Sequence, residues 1–150
     1  MATRDEVYAK FGITAEAAQL FETELGTLLL WAHGIQNDWH VEPDRETARA
    51  TLQQINRSTL GQLLIRVRTH VDLDDDIEDR FTAALEARNR LNHGFYERHN
   101  IKIQTEEGRD AMLADLVCLH DVLFDAWQIA SAMTGLAMQA LQRGPANSEA

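Results

Sequence analysis

The residues best suited to chemistry lie in one short run, Ala87-Arg88-Asn89-Arg90-Leu91-Asn92-His93-Gly94-Phe95-Tyr96. It sets a fixed cation, two amides and a titratable imidazole within two turns of a helical stretch. On a wheel of about 100° per residue, Arg88 falls in the middle of the apolar face of a helix running from Ile77 to Phe95, between Leu85 and Leu91. An unpaired guanidinium there is costly. Asn92 follows Arg88 by one turn and Asn89 precedes His93 by one turn, which gives two adjacent i, i+4 pairs on one edge of that face. These types suit work at a phosphodiester. A histidine near neutrality can take the proton from a ribose 2′-hydroxyl or give one to the leaving oxygen, and an arginine can hold the phosphate as negative charge develops. No metal or other cofactor is needed for that. Two plainer uses of the same residues stay open: Arg88 bridging to a core carboxylate, and His93 meeting the last carbonyls of its helix.

The elements that must position this run read as helices throughout. Residues 3 to 11 suit a short amphipathic helix ending at Gly12, with Thr14 as N-cap of a long one whose apolar positions Phe21, Leu25, Leu28, Ala32, Ile35 and Trp39 repeat at steps of three and four. Pro43 with Asp44 marks a break and restart, into a weaker helix through about Ile55. Thr59 and Gln62 stand in capping-box spacing before Leu60, Leu63, Leu64, Val67 and Val71. In the acidic cluster Asp72 to Asp76, Asp72, Asp74 and Asp76 match the first ligands of an EF-hand loop, but Ile77 stands where glycine is required and Ala83 where the bidentate glutamate is required. The cluster therefore reads as helix N-terminal charge, with Asp75 and Glu78 in capping-box spacing. The motif helix follows, fraying near Gly94, then a polar loop from Arg98 to Gln104. Thr105 caps a very long helix through Met112, Leu116, Leu119, Leu123, Ala126, Ala130, Met133, Ala137 and Leu141. Met133, Met138 and Trp127 read as core or dimer-interface residues. Gly144 and Pro145 stop the helix, leaving a disordered tail from about residue 143 to Ala150.

The chain of 150 residues, with 45% hydrophobic and 25% charged residues, suits one helical domain over residues 1–142. The lone Cys118, inside an apolar helical run, is expected as an inert buried thiol and rules out an internal disulfide, which suits a reducing cytoplasm. No stretch has the run of about 18 apolar residues that spans a bilayer, and Met1-Ala2-Thr3-Arg4-Asp5-Glu6 is unlike a signal peptide, so a soluble cytoplasmic protein without membrane contact is expected. The net charge of −10 argues against indiscriminate nucleic-acid binding. Any RNA contact must be local. From Glu78 to Lys102 the balance differs: Arg80, Arg88, Arg90, Arg98 and Lys102 outnumber Glu78, Asp79, Glu86 and Glu97. A helical metal enzyme is disfavoured, because His33, His40, His70, His93, His99 and His120 form no His-x3-His or Glu-x-x-His pair.

Arg88-Asn89-Arg90-Leu91-Asn92-His93, late in a core helix of an all-helical domain, resembles the signature of the HEPN superfamily, the higher eukaryote and prokaryote nucleotide-binding domains. That signature is an arginine, usually a polar residue next, then four to six positions to a histidine. With long helices before and after, the resemblance covers residues 14 to 142. It implies an all-α, up-and-down bundle of four or five helices that pairs as a two-fold homodimer, bringing two motifs into one cleft. It further implies a metal-independent endoribonuclease that uses the 2′-hydroxyl as nucleophile and leaves a cyclic phosphate, as a toxin or defence component. Arg88 and His93 would be catalytic, Asn89 would orient them or contact phosphate, and Asn92, Arg90, Tyr96, Arg98 and His99 would bind substrate. A cognate antitoxin or nucleotidyltransferase is an implied partner. A toxin subset carries tyrosine two positions after the histidine; here that position is Phe95, with Tyr96 one further on. The alternative is a non-catalytic HEPN-fold module that binds nucleotides or proteins.

Overall fold

The computed structural model describes residues 1–143, and these are all-helical. The helices are α1 (Arg4–Gln36), α2 (Arg45–Arg57), α3 (Leu60–His70), α4 (Asp75–Asn92), α5 (Phe95–His99) and α6 (Glu106–Arg143), with a 3-10 turn at Asn100–Gln104. Among the described residues no helix is long and apolar enough to cross a membrane. The expected stop at Gly144-Pro145 and the tail to Ala150 lie outside the described residues.

Several boundaries differ from the sequence reading for identifiable reasons. The two helices expected on either side of Gly12 are one, α1. A helical glycine costs about 1 kcal/mol, but Val7, Thr14, Ala17 and Ala18 are all buried along the continuous helix and outweigh it. Thr14 is therefore no cap: fully buried, its Oγ1 donates to the Lys10 carbonyl at 2.7 Å. Trp39 falls beyond the helix, in the turn after Gln36, and lies against Gly34. The N-cap of α4 is Asp74, not Asp75; its carboxylate accepts the Ile77 N–H at 2.8 Å. The polar loop expected from Arg98 is the end of α5 followed by the 3-10 turn. Cys118 is exposed, the correction following from its place on α6 between the buried positions Leu116 and Leu119 but off their stripe.

Two features follow the sequence closely. Thr59 caps α3 in a complete capping box, accepting from Gln62 N–H while Gln62 Oε1 accepts from Thr59 N–H. Asp44 caps α2 after the break at Pro43, accepting from Thr47 N–H.

The chain gathers into two compact units. The first comprises residues 1–21 and 74–127. Its core holds Val7, Phe21, Phe81, Ala84, Leu91, Phe95, Met112, Leu116 and Leu123. The Phe21 and Phe81 rings meet at 5.4 Å between centroids, both without solvent exposure. Each buried ring contributes about 1.5–3 kcal/mol. Gly108, in the first turn of α6, is where the 3-10 turn crosses closely: a Cβ there would collide with the backbone carbonyl of Lys102. The second unit comprises residues 22–73 and, among the described residues, 128–143. Leu25, Leu28, Leu29, Ile55, Leu60, Leu64, Val67 and Ala130 are among its buried residues, and Gly26 lets the Ile55 side chain press against the α1 backbone.

Candidate functional site

In the first unit, α4 presents the motif at its C-terminal end. Its buried stripe is Phe81, Ala84, Ala87 and Leu91, so the centre of that face lies on the small Ala84 and Ala87 and not midway between Leu85 and Leu91. Arg88 accordingly stands toward the border of the stripe and is half-buried. Its Nη1 donates to Asn89 Oδ1 at 3.3 Å. His93 is the C-cap residue: it has left helical geometry, at φ −120° and ψ 50°, and its backbone N–H donates to the Asn89 carbonyl at 2.9 Å. Asn89 thus contacts both Arg88, through its side chain, and His93, through its backbone. Asn89, Asn92 and His93 are exposed. A half-buried cation, an amide and a solvent-facing imidazole therefore share one helix end.

The turn after His93 depends on Gly94, whose φ of 134° is a conformation that residues with a Cβ rarely adopt. It sends the chain into α5, where Phe95 is buried and Tyr96 exposed. Tyr96 packs edge-on to Phe95 at 5.3 Å and lies 5.1 Å from Phe11. Partial burial pushes its phenol above the ordinary value, with the nearby Tyr8 adding to the rise. Arg98, also on α5, is exposed.

The structure also assembles a triad that the sequence did not reveal. His99 is 5% exposed, and its Nε2 lies 2.8 Å from Asp115 Oδ2 on α6. Arg90 Nη2 reaches both oxygens of the same carboxylate, at 3.0 and 3.1 Å. Burial pushes the Asp115 carboxyl up, but the His99 hydrogen bond and the Arg90 guanidinium together outweigh it and hold the group below the usual carboxylate range. His99 Nδ1 is buried without a hydrogen-bond partner, and the Phe95 ring lies 4.7 Å from the imidazole. Arg90 and His99, expected to bind substrate, both engage Asp115 and so tie α4 and α5 to α6. The available signal was Asp115 itself, a carboxylate one position before the core residue Leu116.

No family model matches the chain, and neither a curated protein nor a solved structure matches it.

Proposed function

We propose that the chain is a metal-independent endoribonuclease of HEPN type, an up-and-down helical bundle acting in the cytoplasm as a two-fold dimer with its two Arg-x4-His motifs in one cleft. His93 takes the proton from a ribose 2′-hydroxyl, the 2′-oxygen attacks the adjacent phosphorus, and the bond to the 5′-oxygen breaks. His93 of the second copy gives a proton to that leaving oxygen. The products are a 2′,3′-cyclic phosphate and a free 5′-hydroxyl. Arg88 holds the non-bridging oxygens as charge builds on them, and Asn89 keeps Arg88 and His93 in register. Asn92, Tyr96 and Arg98 are the exposed groups available to the rest of the substrate, while Arg90 and His99 brace the turn through Asp115.

The observation that carries this reading is the joint contact of Asn89 with Arg88 and His93 at an exposed helix end. It groups a cation for phosphate with an accessible base, and neither role requires a metal. The net charge of −10 favours the alternative, a module of this fold that binds without cutting. Incubating purified protein with structured RNA in EDTA, beside Arg88→Ala and His93→Ala, separates the two. Cleavage by the wild type that falls at least about a hundredfold in each variant supports the enzyme. Absence of cleavage, or cleavage persisting in both variants, rejects it. Sedimentation showing only monomer at micromolar concentration rejects the shared cleft.

A further inference from the structure

The second unit holds a cluster of basic side chains that the proposed ribonuclease chemistry does not use. His33 on α1 and His70 at the end of α3 meet with ring centroids 4.3 Å apart. Gln36 fixes the second ring: its Oε1 lies 2.9 Å from His70 Nδ1, while its Nε2 donates to the His70 carbonyl at 3.0 Å. With the amide nitrogen so engaged, Oε1 must accept, and His70 Nδ1 carries the proton. Arg66, one turn before His70, is near enough to His33 to act on its charge. It is held through Nη2 to Gln54 Oε1 at 3.2 Å. Two polar atoms of this cluster, His33 Nε2 and Arg66 Nη1, are shut off from solvent and have no hydrogen-bond partner. A guanidinium N–H left in that state costs stability, so such orphans point to a missing acceptor. Burial lowers the His33 pKa first, and the positive fields of His70 and Arg66 lower it further.

His70 belongs to a second feature as well. It lines a cavity of about 380 Å³ whose other walls are Leu28, Ala32, Ile35, Val71, Met133, Leu136 and Ala137, with Gln36 and Asp72 at the polar side. The size is that of a small-molecule site, and the composition is the usual one of apolar walls with a few convergent polar groups. Leu136, 67% exposed, stands at its open edge. Asp72 is the one carboxylate among these lining residues and is exposed, against three basic groups in the adjoining cluster.

We propose that the second unit binds a small carboxylate with an aliphatic tail, the tail in the cavity and the carboxylate bridging His33 Nε2 and Arg66 Nη1 beside His70. A carboxylate has two oxygens to satisfy the two orphaned atoms at once, and a guanidinium suits it geometrically. A phosphate has no tail to fill seven apolar walls, and an amine would set a second cation beside the Arg66 guanidinium. Entry requires the half-buried Arg66 side chain to move aside.

The test is an NMR titration of the full chain with sodium octanoate, following the His33 and His70 ring resonances, with octanol and octylamine in parallel. Expected are saturable one-to-one binding, a rise in the His33 pKa on binding, and affinity at least about tenfold weaker for octanol and octylamine. Arg66→Gln should weaken octanoate about tenfold or more. Ala137→Phe, which fills the cavity from α6 without touching the basic cluster, should do the same. Octanoate that never saturates, octanol or octylamine bound as tightly as octanoate, or affinity unchanged in both variants overturns the proposal. If Arg66→Gln fails to fold, the comparison of octanoate with octanol and the Ala137→Phe variant decide alone.

Discussion

His99 Nε2 stands 2.8 Å from Asp115 Oδ2, and the same carboxylate receives Arg90. One side chain of α6 thus holds both the last turn of α4 and the end of α5, on either side of the Gly94 turn that follows His93. Asp115→Asn should destabilise the protein by about 1–3 kcal/mol at pH 7. Since the folded carboxyl titrates below the unfolded one, its contribution is fully present above the unfolded pKa and is lost as pH falls through the folded value. Urea unfolding should therefore find wild type and variant far apart at pH 7 and converging below about pH 3.9. A constant difference across that range contradicts the assigned titration.

Gly108 should not tolerate a side chain. Its Cβ would meet the Lys102 backbone, which cannot rotate away as a side chain could. Gly108→Ala is expected to cost about 1–3 kcal/mol in urea unfolding. Gly12→Ala, in open space on continuous α1, should gain about 0.5–1 kcal/mol. Equal effects of the two would show that the crossing at Lys102 is not close.

The cap of α4 can be read by paired substitutions. Asp74→Ala should lose about 1 kcal/mol, because it removes the acceptor for Ile77 N–H. Asp75→Ala, already inside the helix, should lose only the macrodipole contribution, about 0.3–1 kcal/mol, and that part should fade with salt. Thermal unfolding at low and high salt distinguishes them.

Cys118 should react with a thiol reagent in the folded protein without denaturant, in a single phase. Reaction only on adding denaturant would place it in the core.

How far the sequence revealed this molecule depended on how local each determinant was. The Thr59–Gln62 box, the break at Pro43 and the apolar period of α6 each sit within a few residues, and all were legible. The continuity of α1 was not, since local signals at Gly12 and Thr14 favour a break and only the burial of Val7, Thr14 and Ala17 overrides them. At the motif, the types and spacing of Arg88, Asn89 and His93 were legible. The engagement of Arg90 and His99 with Asp115 was hidden because it joins residues 25 and 16 positions apart. Cys118 was misjudged because a periodic apolar stripe leaves neighbouring positions outward.

The proposed cutting of RNA by Arg88 and His93, through attack of the 2′-hydroxyl, would leave its record in the chemistry of the product ends. Mass spectrometry of a short RNA cleaved by the wild type in EDTA should find a 2′,3′-cyclic phosphate on the upstream fragment and a 5′-hydroxyl on the downstream one, with neither formed by His93→Ala. An upstream 3′-hydroxyl with a downstream 5′-phosphate, or intact RNA throughout, would contradict it.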